Sequence, residues 1–279
     1  MASDPTPIRP TRLTANIGAT VTDVKLADIS DEQFEQVRDA LHEHLVLFFP
    51  EQHLSDDEHV AFAERFGTVS PYPIAKMLGS TAALGFIEDT QEKPPDADGW
   101  HTDITWVAQP PAYAVLAAVD VPAYGGDTMW SSLFAAFDAL SPAMQELVDG
   151  LRVRHWAGPG FRSAIEKNMD AEVATRILDS FPPVEHPLVR RHPVSGRRAL
   201  FVTTGFMDQI VGLHRAESDA LVGFLQEHAA NPNFCVRWHW SPGDVAMWDE
   251  AATNHRALAD HYPQHRRMRR CTVDGAVPV

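Results

Sequence analysis

In the stretch Trp100-His-Thr-Asp-Ile-Thr-Trp106 an imidazole and a carboxylate, His101 and Asp103, stand two residues apart. In extended backbone, side chains at i and i+2 leave the same face, so both can point at one ion while Thr102 faces away. An imidazole and a carboxylate suit a divalent first-row metal. A second imidazole would complete a facial set that leaves half of the coordination shell open. His255, in Trp248-Asp-Glu-Ala-Ala-Thr-Asn-His255, is a candidate for that third ligand. Spacing alone leaves a plainer reading open. The chain has 14 histidines, and a His-x-Asp pair also occurs on surfaces and in capped turns.

Downstream of His255 come Arg266, Arg267, Arg269 and Arg270. A guanidinium grips a carboxylate-like anion through two parallel hydrogen bonds. If residues 269–274 form a strand, Arg266 and Arg270 reach the cavity that holds the ion. Arg267 and Arg269 then read as a solvated basic edge. This cluster stands out because the chain is acidic, with 23 Lys and Arg against 38 Asp and Glu and a net charge of −15. Such a body lacks the positive footprint of a general nucleic-acid binder. It attracts metal cations and repels anions at long range, so an anionic ligand needs a local group of arginines.

The elements that must position these residues follow from pattern. At about 150 residues per domain, 279 residues allow two domains, but no linker or repeat divides the chain, and one domain over 1–279 is expected. Residues 1–12 read as a loose tail, and 13–26 as β-rich. Ser30 and Ser55 each begin a capping-box pattern, predicting helices after both. Phe34, Val37, Leu41 and Leu45 recur at helical spacing. Gly67 reads as the stop of the second helix. Leu45–Phe49 is a short apolar strand ended by Pro50. Residues 70–100 read as irregular, with one strand near 82–87. Strands are predicted at 113–119, 127–131, 186–191, 198–203, 234–240, 244–249 and 269–274. Helices are predicted at 132–139, 142–151 and 216–230, with a helical insertion at 157–183. Many short strands and few helices point to a mainly β sandwich or barrel with flanking helices. Two cysteines, Cys235 and Cys271, make no disulfide framework and fit a reducing compartment. No signal pattern opens the chain, and the apolar runs are too short to span a bilayer. A cytoplasmic location is expected.

Several stretches, jointly and in order, resemble the taurine dioxygenase (TauD/TfdA) family of Fe(II)- and 2-oxoglutarate-dependent dioxygenases. They are Pro94-Pro-Asp96, Trp100-His-Thr-Asp103, Pro110-Pro111, Gly125-Gly-Asp-Thr-Met-Trp130, His192-Pro-Val-Ser-Gly196, Ala199-Leu-Phe-Val202, Gly243-Asp244, Trp248-Asp249 and His255-Arg256. The resemblance runs from about Ile17 to Val277 and implies a double-stranded β-helix, or jelly roll. It implies that His101, Asp103 and His255 bind Fe(II), and that Thr128 and Arg266 hold the distal carboxylate of 2-oxoglutarate. Arg270 matches the position that grips the substrate's anionic group, and Phe206 and Phe161 match wall positions of the substrate pocket. Tyr72 and Trp106 are placed on the substrate side. Of the other tryptophans near the ion, Trp240 and Trp248 read as aromatic core. His155 and His239 are assigned no role. The implied reaction hydroxylates a C–H bond with O2 and converts 2-oxoglutarate to succinate and CO2. A carbon that also bears a sulfonate or ester oxygen then collapses to an aldehyde and a free anion. The resemblance also implies a homodimer or homotetramer.

The chain departs from the taurine-specific pattern at Tyr72, Ala75 and Ala97, where that branch has His, Tyr and Asn. Losing polar contacts changes discrimination. This argues against taurine and for an anion on a larger, more apolar body: an alkyl sulfate, a sulfonate or an aryloxyalkanoate. A second departure follows Trp248-Asp249, where Glu250-Ala251 replaces the usual Asn-Arg. It alters the surroundings of the ligands and leaves the three ligands intact. Two other readings keep the fold: a zinc hydrolase with three protein ligands and a water, and a binding protein that has lost activity. A hydrolase needs no second carboxylate clamp, so Arg266 with Thr128 separates it from the dioxygenase.

Overall fold

The computed structural model describes residues 7–95 and 99–279. Residues 1–6 of the expected tail, and Asp96 and Ala97 of the sequence pattern, lie outside the described residues. The tail reading ends early, because Thr11–Arg12 (β1) pairs antiparallel with Ala19–Thr20 (β2). Ser30 caps α1 (Asp31–His44) by accepting from the Gln33 N–H. Leu45 closes that helix in the left-handed region, and the chain enters β3 (Val46–Phe49). Ser55 and Glu58 form the complete capping box of α2 (Asp56–Glu64). Helix α2 stops three residues before Gly67, the predicted stop.

The region read as irregular holds a five-residue helix, α3 (Pro73–Met77), and its strand, β4, lies at Gly85–Asp89. Then come β5 (Tyr113–Asp120), β6 (Thr128–Ser132), α4 (Leu133–Asp138), α5 (Pro142–Val148) and β7 (Arg152–His155). The predicted insertion is two helices, α6 (Gly158–Asn168) and α7 (Ala171–Ser180). After it run β8 (Val184–Pro187), β9 (Val189–Arg191), β10 (Arg198–Leu200), β11 (Met207–Ile210) and α8 (Arg215–Ala229). Four strands follow: β12 (Cys235–Trp238), β13 (Val245–Asp249), β14 (Thr253–Ala257) and β15 (Arg266–Val273). The sequence pattern predicted three strands here and missed β14, whose Thr-Asn-His-Arg-Ala carries no apolar alternation.

The main sheet has the order β1-β2-β3-β13-β5-β15-β4, and a smaller one the order β12-β6-β14. Alternation along the central strands explains their nearly unbroken apolar sequence. Val46, Phe48, Ala114, Leu116, Ala246 and Trp248 face a core shared with Trp130 and Val236 of the small sheet. Leu47, Phe49, Val115, Ala117, Val245 and Met247 face the opposite way, onto α1 and α2. A sheet buried on both faces needs no polar alternation. A third apolar cluster joins α3, residues 104–107 and the α6–α7 insertion. Among the described residues no helix is long and apolar enough to cross a membrane.

Candidate active site

Strand β14 pairs with β6 so that His255 stands opposite Trp130. On its other side His255 meets the segment before β5. The His101 N–H donates to the His255 carbonyl at 2.9 Å, and the His255 N–H to the His101 carbonyl at 2.7 Å. This isolated antiparallel bridge sends both side chains to one side, and the ring centroids lie 4.1 Å apart. Asp103 Oδ1 is 3.7 Å from His101 Nε2 and 3.9 Å from His255 Nε2. The three ligand atoms lie within 4.8 Å of one another, close enough to share one ion.

Protonation states fit a cation. His101 Nδ1 lies 2.8 Å from the Gly99 carbonyl, so Nδ1 carries the proton and Nε2 presents its lone pair to the centre. His255 is 6% exposed. Burial, then the nearby His101, holds its imidazole well below the ordinary value, and Asp103 offsets only part of this. Burial also acts on Asp103, pushing its carboxyl up, but Arg270, His255 and His101 outweigh that and bring it down to about 2. An anionic oxygen beside a neutral imidazole is what a divalent ion requires.

The backbone here is strained. Ile104, directly after Asp103, has φ 53°, a left-handed conformation that costs a β-branched residue on the order of 1–3 kcal/mol. Neighbouring hydrogen bonds hold it in place. The Thr102 N–H donates to Thr203 Oγ1 at 3.3 Å. Thr102 Oγ1, facing away from the ligands as the i, i+2 argument requires, lies 2.8 Å from Asn254 Oδ1 and 3.0 Å from the Thr253 carbonyl. The Asp103 N–H donates to Glu250 Oε2 at 3.1 Å. Burial, then the charge on Asp103, pushes the Glu250 carboxyl well above the usual carboxylate range.

Thr128 and Arg266 come together beside this centre. Arg266 is 2% exposed. Its Nε donates to the Gly126 carbonyl at 3.0 Å, and its Nη2 lies 3.5 Å from Thr128 Oγ1. The Trp240 indole donates to the same Oγ1 at 3.0 Å, leaving the hydroxyl's own proton free for an anion. Gly126 has φ 71°, and a Cβ there would lie 3.1 Å from Arg266 Cδ. The Gly125-Gly126 pair therefore marks a close approach of backbone to the clamp. Sequence reasoning placed Trp240 near the ion but favoured a core role, and did not foresee its bond to Thr128.

Arg270 lies at the other end of the site, its Nη1 donating to both Asp103 oxygens at 3.0 Å. Its guanidinium also borders a cavity of about 160 Å³ lined by Tyr72, Ala75, Leu84 and Ile104. A wider cleft of about 580 Å³ shares Ser70, Ile104 and Thr272 with it and is lined beyond by Met77, Val107 and Phe181. Phe206 stands 6.5 Å from the His101 ring, and Phe161 5.5 Å from Trp106. Trp106 itself is buried between Phe161 and Phe181, so it backs the wall from behind. Tyr72 is exposed, 6.1 Å from Trp106.

Two arginines differ from expectation. Arg269 pairs with Asp56 of α2 and the Leu54 carbonyl, and Arg267 stacks on Phe86. Helix α2 and strand β4 cover what sequence alone reads as a solvated edge. His155 is buried against Thr105, and His239 pairs with Asp127.

The taurine catabolism dioxygenase TauD, TfdA family matches residues 7–272. The chain belongs to this family. Among its relatives is an alkylsulfatase of Acinetobacter baylyi, 34% identical over 95% of this chain and 84% of that protein. Another is an alpha-ketoglutarate-dependent sulfate ester dioxygenase of Pseudomonas putida, 37% identical over 94% and 88%. A crystal structure of a taurine dioxygenase from Burkholderia xenovorans matches with a TM-score of 0.82 and 36% identity, over 98% of this chain and 93% of that one. The TauD/TfdA chain described here therefore has the jelly-roll fold. It is an Fe(II)- and 2-oxoglutarate-dependent dioxygenase that consumes O2.

Proposed function

We propose that this TauD/TfdA enzyme oxidises a carbon of a small organic anion, foremost an alkyl sulfate ester or a sulfonate, with an aryloxyalkanoate as a further candidate and taurine disfavoured. The observation that carries the reading is Arg270. It is the one charged residue among the described residues lining its cavity, whose other walls combine Ala75, Ala83, Leu84 and Ile104 with uncharged hydroxyl side chains such as Tyr72 and Thr272. In an acidic protein this is where an anion attached to an apolar body fits. Ala75 and Ala83 leave room for that body, and the adjoining cleft extends the room past Ile104.

In this reading His101, Asp103 and His255 hold Fe(II), which with 2-oxoglutarate and O2 supplies the C–H oxidation and yields succinate and CO2. Arg266 and the Thr128 hydroxyl receive the cosubstrate's distal carboxylate. Arg270 turns part of its donor set from Asp103 to the substrate anion. Phe206, Phe161 and Tyr72 line the body of the substrate, with Trp106 behind them. The α6–α7 insertion keeps bulk water from the reacting carbon. The arginine-threonine pair is what a zinc hydrolase on the same fold would leave unused.

The same proposal takes the chain as one domain acting in the cytoplasm. Cys235 and Cys271 are both free and buried, and burial pushes the Cys271 thiol up to about 12. A homodimer or homotetramer is proposed on the family resemblance alone. The test is succinate release with Fe(II), 2-oxoglutarate and O2 across alkyl sulfates, sulfonates, aryloxyalkanoates and taurine. Coupled release of succinate and sulfate or sulfite, with taurine among the poorest substrates, is the expected result. Turnover with taurine alone would overturn the substrate reading.

A further inference from the structure

Glu250 follows strand β13 and carries no solvent-exposed surface. Each of its carboxyl oxygens accepts one N–H. Oε1 takes the Trp248 indole at 2.8 Å, and Oε2 takes the main chain of Asp103 at 3.1 Å. Its own peptide groups are anchored too. Its N–H donates to the Ala112 carbonyl at 2.9 Å, and its carbonyl accepts from Arg190, whose guanidinium lies over the Phe201 ring. The Trp248 ring is 4.9 Å from that of His255. One carboxyl group therefore ties the backbone of Asp103 to the indole that packs on His255. The Asp103 bond falls directly before the left-handed Ile104, where the chain needs holding.

We infer that Glu250 is a positioning residue for the metal centre, fixing Asp103 and His255 in register through these two acceptor oxygens; the inference rests on the ligand set proposed above. Two N–H donors reach the group, and a carboxyl offers each an oxygen whether ionised or protonated, since a hydroxyl oxygen still accepts. An amide offers one oxygen and one NH2, so it would leave an N–H facing an N–H. Glutamate at this position matches donors that asparagine or glutamine cannot both satisfy.

The test uses the full chain freed of metal and titrated with Co(II), followed by visible absorption and by thermal shift. Glu250→Ala weakens Co(II) binding by about 10–100-fold, while the circular dichroism of the metal-free protein is unchanged. Glu250→Gln weakens it in the same direction by less. Adding Trp248→Phe to Glu250→Gln recovers part of that loss, because the amide can then turn its NH2 to the side that has lost its indole donor. A role in filling space would leave the isosteric Glu250→Gln at wild-type affinity and make the two substitutions additive. Either result overturns the inference. Should Glu250→Ala not fold, Glu250→Gln and the double variant carry the test. Asp103→Ala binding Co(II) as tightly as wild type would instead remove the ligand set itself, and this inference with it.

Discussion

Arg266 and Arg270 leave the same strand four residues apart, yet the two ends of the site that they serve are built differently. At the cosubstrate end, Arg266 is held by the Gly126 carbonyl, and Thr128 by the Trp240 indole, with both side chains buried. Arg266 also faces the Asp89 carboxylate, its Nη1 3.8 Å from Oδ2. At the substrate end, Arg270 has a side chain 22% exposed and is already engaged with Asp103. Tyr72, which lines the same cavity, sits on a loop, and the other aromatic residues assigned to this end, Phe161 and Phe206, sit on an inserted helix and the turn before β11. In the proposed reading the cosubstrate, the same in every turnover, meets the more deeply buried end. The substrate differs between relatives and is met by segments that vary without disturbing the sheets.

The sharpest way to break this contrast is at Arg266. Replacing it with lysine removes the forked donors and the bond to the Gly126 carbonyl. A lost hydrogen bond to a charged group should raise the KM for 2-oxoglutarate about 10–100-fold and leave the KM for substrate within about twofold. Equal rises in both would mean that the two ends are not separate. The mirror experiment, Arg270→Lys, should raise the substrate KM about tenfold, with the 2-oxoglutarate KM nearly unchanged. A loss confined to 2-oxoglutarate would reverse the assignment of the two arginines.

A smaller effect should reach both ends alike. Burial holds His59 down to about 4 and His155 down to about 3. Both are neutral in the folded chain but take up protons near 6.5 when unfolded. Their contribution to stability is complete above pH 6.5 and is lost as pH falls from there toward about 4 for His59 and about 3 for His155, by about 1.4 kcal/mol per pH unit for each. Glu250, with its carboxyl raised, works the other way and offsets part of this. Thermal melts of the metal-free protein should show a lower Tm at pH 5.5 than at 7.5. A flat or rising Tm toward acid would show that these histidines are not held neutral.

What was legible in the sequence follows the same division. His101 and Asp103 were legible from their i, i+2 spacing, although they stand on an isolated bridge and a turn; Arg266 was legible from the arginine cluster and the family resemblance, and Thr128 from the resemblance alone. The helices after Ser30 and Ser55 were legible because capping is local chemistry. Strand β14 was not, although it carries His255. Its polar residues are buried by contact with the segment before β5 and with β6, a tertiary fact that periodicity does not record. The same holds for Arg267 and Arg269, covered by elements distant in sequence. Glu250 was visible only as a departure. Its purpose depends on two donors, one from the adjacent tryptophan and one from a residue 147 positions away.

The central proposal is one ion bound by His101, Asp103 and His255, whose ligand atoms lie within 4.8 Å of one another. Equilibrium titration of the metal-free chain with Fe(II) under anaerobic conditions, with and without 2-oxoglutarate, tests it most directly. The wild type should take up one Fe(II) per chain and show a visible charge-transfer band only when 2-oxoglutarate is added. Asp103→Ala, with its fold intact by circular dichroism, should show neither. A band of wild-type strength in Asp103→Ala, or no uptake by the wild type, would contradict the account.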